Sequence, residues 1–259
     1  MNAGSTRKPS RESSSYTSSG RPGIVFFFGG GWNGGSPSQF YPHCEYLASR
    51  GMVAIAAEYR VARKHGTSPR ECVKDGKSAM RWVRAHAGEL GIDPKRLAAG
   101  GGSAGGHVAA TTGTATSIEE AGEDRSVSFR PAALVLFNPV YDNGPGGYGH
   151  SRVKDYWEAI SPMHNITKDT PPAAVFLGTK DKLIPVSTAE TFKSKMEAVG
   201  VRSELYLYEG QEHAFFNFRN RKYYTWTVRA MDRFLVSLGY LEGEPTLEPV
   251  DEDPEPTAQ

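Results

Sequence analysis

Six short apolar runs, separated by longer amphipathic stretches, constrain this chain more than any other feature. Residues 23–28, 53–57, 97–100, 132–137, 173–177 and 204–208 have the length and composition of strands. Most are continuously apolar, as parallel strands covered on both faces tend to be. The last alternates somewhat and suits a sheet edge. Parallel strands need long crossover connections, so the intervening segments must be helices packed on the sheet. Two of those segments carry start signals. Ser36, Pro37 and Gln39 form one candidate capping box, and Ser68, Pro69 and Glu71 form another. Beyond Ser68, the residues Cys72, Gly76, Ala79, Met80, Val83 and Ala87 make one helical stripe suited to lying on a sheet. Further helices are expected over 104–113, 187–199 and 221–238. The fold class is therefore α/β, a three-layer sandwich around a mostly parallel sheet.

With 259 residues there is enough chain for one such domain, expected over 22–241. Residues 1–21 hold seven serines and are expected to be a disordered arm, while 242–259 hold seven acidic residues and four prolines, as a solvated tail would. Lys and Arg number 30 against 29 Asp and Glu, so no global field points to nucleic acid or an anionic membrane as partner. No run approaches the ~20 apolar residues that span a bilayer. Residues 24–28 are too few for a signal-peptide core, so the chain as written is expected to be cytoplasmic. Cys44 and Cys72 are expected to be unbridged thiols. Nothing in the sequence fixes an oligomeric state.

The chemistry concentrates at strand ends. Gly101-Gly102-Ser103-Ala104-Gly105 matches G-x-S-x-G and lies between a strand and a helix, where the pattern has mechanical meaning. A nucleophile at such a tip needs a strained backbone with small neighbours, and the helix behind it favours negative charge. A phosphate-binding glycine turn is the competing interpretation, but G-x-G-x-x-G with a later acidic residue is not present. Phe28-Gly29-Gly30-Gly31-Trp32 follows the first strand. Gly30 and Gly31, with Ala104, are the candidate amide donors to an oxyanion. Of seven histidines, His213 lies just past the last strand, where a loop can bring an imidazole over the sheet edge. His43, His65 and His86 fall near early helices, and His107 on a helix pointing away from Ser103. Asp181, directly after the fifth strand, is the candidate acid and Asp142 the runner-up. Ser103 would attack, His213 would carry the proton, and Asp181 would orient His213. Trp32, Tyr141 and His150 are the candidate substrate-binding side chains. The aromatic insertion at 141–160 suits a sugar or aromatic ester, or packs as a lid. No metal site is expected.

With these residues in view, the chain resembles the hormone-sensitive-lipase-like esterases of the α/β-hydrolase superfamily. Its wording is closest to bacterial acetyl-xylan-esterase-like carboxylesterases. The resemblance runs through Gly29-Gly30-Gly31-Trp32, Glu58-Tyr59-Arg60, Gly102-Ser103-Ala104-Gly105-Gly106, Asp181 with Ile184-Pro185, and Glu209-Gly210 leading to His213. It implies hydrolysis of short-chain acyl esters, acetylated carbohydrate among them, without a metal or organic cofactor. The partner is then a small-molecule or carbohydrate ester. Two positions depart from the pattern. Phe28 stands where the family usually has a loop-shaping histidine. The two strands that normally precede the first one here are expected to be missing, leaving about six strands and an exposed edge. A non-catalytic binder, or a serine peptidase of the same fold, is the alternative function.

Overall fold

The structure, a computed structural model, describes residues 20–115, 117–250 and 255–259. The expected arm falls outside these up to residue 19, and Arg21 already opens the first strand. Six strands form one sheet: β1 (Arg21–Phe27), β2 (Val53–Ala57), β3 (Ile92–Gly102), β4 (Leu134–Phe137), β5 (Ala173–Gly178) and β6 (Ser203–Tyr208). Their order is β2-β1-β3-β4-β5-β6, and every neighbouring pair is parallel. β3 is longer than the apolar run suggests, because Ile92 already pairs with Arg21 of β1 and Gly101 and Gly102 remain in register with Leu136 and Phe137 of β4. β2 is an edge strand, half-buried along its length. Among the described residues no strand pairs with its outer side.

Five helices of nine residues or more cover the sheet: α1 (Tyr41–Ser49), α2 (Pro69–Ala85), α3 (Ala104–Thr114), α4 (Val186–Ala198) and α5 (Arg221–Ser237). α2 opens with the expected capping box, Ser68 N–H donating to Glu71 Oε2 at 2.9 Å. At Ser36 the box does not form. Ser36 caps a 3₁₀ turn, Pro37–Phe40, and the Gln39 side chain turns instead toward the glycine loop.

Side chains alternate along each strand, so the sheet has two apolar faces. Val25, Phe27, Leu97, Leu136 and Val175 pack with Met80 of α2, Val108 of α3 and Phe192 of α4. Ile24, Phe26, Phe137 and Phe176 pack with Leu47 of α1 and with Met231 and Phe234 of α5. Each such side chain contributes about 1.5–3 kcal/mol on leaving water. The stretch after α5 is tied to this second layer. Arg50 bonds the buried Asp232 at 2.7 Å and the carbonyls of Glu242 and Gly243 at 2.9 and 3.2 Å, while Leu247 packs on the core. Cys44 and Cys72 are unbridged. No described helix is long and apolar enough to cross a membrane.

The second layer also holds a buried imidazole. His43 is fully buried among Phe26, Phe40, Phe137, Phe216 and Tyr224, and neither ring nitrogen has a hydrogen-bond partner. Burial without a partner pushes its pKa down to about 3. The unfolded chain therefore binds this proton first as pH falls. Stability conferred by a neutral His43 is complete above pH ~6.5 and is lost toward pH 3. His43→Phe should remove that loss, so its urea midpoint should diverge from wild type below pH 6.5 by about 1.4 kcal/mol per pH unit. Parallel curves would contradict the assignment.

Candidate active site

Ser103 is the residue between β3 and α3, with φ +54° and ψ −120°. An L-residue pays on the order of 1–3 kcal/mol for such a backbone, so its surroundings must impose it. They do so at three points. Ser103 N–H donates to Phe137 O at 2.9 Å, and Ser103 O accepts from His107 N at 3.0 Å and Val140 N at 3.3 Å. Gly105 then lies so close to β1 that an added Cβ would stand 2.1 Å from Phe27 O and 2.3 Å from Phe28 O. The strand-to-helix turn is thus pressed flat against the neighbouring strand end.

The structure brings Ser103, His213 and Asp181 together from three loops at the C-terminal edge of the sheet. His213 Nε2 is 2.8 Å from Ser103 Oγ, and Nδ1 is 2.7 Å from Asp181 Oδ2. The Asp181 side chain is fully buried and His213 is one-fifth exposed. Asp181 Oδ1 accepts from Leu183 N at 2.8 Å and Ile184 N at 3.0 Å, which fixes the carboxylate without a cation. The runner-up Asp142 accepts from Gly144 N and faces His164 at 3.8 Å, away from His213. His107 is fully buried and bonded to Ile160 O.

The glycine loop is built around one carbonyl. Gly30 O accepts from Asn33 N at 3.0 Å and Gly34 N at 3.2 Å, which sets the Gly30–Gly31 peptide plane and turns the Gly31 N–H the other way. Gly30 and Gly31 have φ +132° and +62°, conformations that glycine adopts without strain. Gly29 N–H is consumed by Gln39 Oε1 at 2.7 Å. Among the described residues, no acceptor takes the N–H of Gly30, Gly31 or Ala104. Ala104 N–H follows Ser103 directly, at the partial positive charge of the α3 N-terminus, and the glycine loop reaches Ser103 at Gly29, whose added Cβ would stand 3.3 Å from Ser103 Cβ. Phe28 shapes the loop by packing, stacked on Tyr59 at 4.3 Å, while Tyr59 Oη donates to Phe28 O at 2.6 Å.

Two expected substrate contacts are corrected. Tyr141 is fully buried, stacked on Phe192 at 4.6 Å, and burial with the Asp181 charge behind it pushes its phenol pKa well up. Trp32 is also buried, under the Arg152 guanidinium at 4.8 Å and edge-on to His107. Neither ring is exposed to a ligand in this structure. His150 remains partly exposed, with Nδ1 2.8 Å from Asn143 O. Four residues that the sequence did not assign to the site hold it. Arg152 donates to Gly31 O at 2.7 Å, Gln39 bridges Gly29 to Asn217, Asn217 donates to Ala214 O at 2.8 Å, and Asn138 accepts from Ala214 N at 3.0 Å. Gly105→Ala, which has no room at the elbow, should lower stability by roughly 1–3 kcal/mol or more in urea unfolding. An unchanged midpoint would contradict the close approach described.

The chain is similar to several known proteins. The esterase LipC of Mycobacterium tuberculosis is 31% identical over 220 residues, covering 75% of this chain and 53% of that protein. This chain spans about half the length of the curated relatives it matches. Solved structures match over more of their length. Thermogutta terrifontis esterase 2, phosphoramylated by tabun, is 46% identical with a TM-score of 0.83 over 86% of each chain. Its propionate-bound form gives 45% and 0.81, again over 86% of each chain. A family model described as alpha/beta hydrolase fold matches residues 24–217, and the chain belongs to that family.

Proposed function

We propose that this protein is a serine carboxylic-ester hydrolase that acts on short-chain acyl esters through an acyl-enzyme. The observation that carries the reading is the continuous array Ser103 Oγ, His213 Nε2, His213 Nδ1 and Asp181 Oδ2, with spacings of 2.8 and 2.7 Å. Ser103 Oγ attacks the ester carbonyl while His213 Nε2 takes its proton. Asp181 holds the Nδ1–H tautomer and stabilises the imidazolium that forms. The N–H groups of Gly30, Gly31 and Ala104 receive the oxyanion, each worth about 2.7–4 kcal/mol of transition-state stabilisation. Collapse of the tetrahedral intermediate expels the alcohol, which takes the proton from His213. Water then repeats the sequence on the acyl-enzyme and releases the acid.

For the acyl half, the supporting facts are the propionate- and butyrate-bound structures of T. terrifontis esterase 2. For the alcohol half, a groove of about 510 Å³ runs beside the glycine loop, lined by Ser36, Ser38, Gln39, Asn217, Phe218 and Arg219. Its serine hydroxyls and the Arg219 guanidinium suit a hydroxyl-rich alcohol, and acetylated carbohydrate fits that description. The Ser103 array also favours catalysis over ligand capture, since a binder has no use for an oriented base.

The test is steady-state turnover of p-nitrophenyl acetate, butyrate and longer esters, with acetylated xylan alongside. Acetate to butyrate should be hydrolysed fastest, with an initial burst of p-nitrophenol from the acyl-enzyme. Ser103→Ala should lose ~10⁴-fold or more in kcat. A folded wild-type chain whose turnover equals that of Ser103→Ala would contradict the reading.

A further inference from the structure

Asn138 follows β4 directly, fully buried, with φ +33°. That backbone is uncommon for any residue but glycine, and the following Pro139 disfavours helical conformations further. The conformation is held by Asn138 N–H donating to Phe176 O at 2.7 Å. Strain of this kind next to a reactive group is seldom idle. Its consequence here is the aim of the side chain. Oδ1 accepts from Ala214 N at 3.0 Å, and a backbone amide can donate only to the oxygen, so the flip of the carboxamide is fixed. The amino group is then directed at His213 Nε2, 3.4 Å away, on the same nitrogen that takes the Ser103 hydroxyl.

We propose that Asn138 is a positioning residue whose amino group, aimed at His213 Nε2, favours the tautomer and ring orientation in which Nε2 is free to accept the Ser103 proton. The inference rests on the esterase reading. An amino group donates and cannot accept, so a proton on Nε2 meets N–H dipoles of its own sign at Asn138. A neutral imidazole, by contrast, offers Nε2 as acceptor to both Asn138 and Ser103. The proton taken from Ser103 Oγ passes to the oxygen of the departing alcohol, and on deacylation His213 takes a proton from the attacking water and returns it to Ser103. The other groups around His213 leave this role to Asn138. Asp181 engages Nδ1 and Tyr141 stands behind Asp181, while Lys180, Lys182 and Glu212, its charged neighbours on the surrounding loops, are exposed.

The pH dependence of kcat/KM separates this role from simple loop anchoring. Asn138→Asp keeps an oxygen for Ala214 N but replaces the donor with an anionic acceptor. Its acid limb should move up by about one pH unit or more. Asn138→Ala should move it up by less. An acid limb coincident with wild type in a folded variant would overturn the proposal. Should both variants fail to fold, the unaltered protein decides through the ¹⁵N shift of the Asn138 side-chain amide. That shift should titrate with the midpoint of the acid limb, and a shift constant across the limb would overturn the proposal. Wild type without esterase turnover would instead remove the esterase reading, and the amide titration would still test the contact to His213.

Discussion

The contact between Gly105 and the end of β1 is the constraint on which the rest of the site depends. Only a chain without a side chain there can bring the start of α3 against the carbonyls of Phe27 and Phe28. That proximity forces Ser103 into its strained backbone, places Ala104 N–H at the helix terminus, and brings the glycine loop, which continues from β1, alongside. Nucleophile and candidate oxyanion donors are thus set by one packing event between adjacent strands. The energy comes from the apolar layers on both faces of the sheet, which hold β1 and β3 in parallel register.

A chain of side-chain amides then ties the glycine loop to the base. Gly29 N–H reaches Gln39, Gln39 reaches Asn217, Asn217 reaches Ala214 O, and Ala214 N–H reaches Asn138 beside His213. Arg152 closes the other side by holding Gly31 O and lying over Trp32. These groups are partly or wholly buried, where an unmade hydrogen bond costs more than a made one contributes. The network therefore favours a single arrangement of both loops, which is what an oriented proton transfer requires.

Legibility in the sequence followed the range of each signal. The strands, the α2 capping box and the glycine elbow are local patterns, so they could be seen directly. Asp181 and His213 could be found because each follows an apolar run by a few residues, in an order that the elbow motif leads one to expect. Gln39 and Asn217 could not, since their meaning lies in a contact across 178 positions and an amide carries no marker of its partner. Gln39 even misled, because its spacing from Ser36 imitates a capping box. Trp32 and Tyr141 lie beside the right loops, but sequence proximity says nothing about which way a side chain turns, and both turn into the core. An exposed edge was expected without its strand being identified, and among the described residues β2 and β6 are the outer strands.

The central proposal is that Ser103, held by the elbow and served by His213, is a nucleophile in this chain. Treatment with a fluorophosphonate probe, followed by peptide mass mapping, tests it without assuming any substrate. One phosphonyl group on the peptide containing Ser103, absent in His213→Ala and Ser103→Ala, is the result predicted. A folded protein that stays unmodified, or carries the group on another residue, would contradict it.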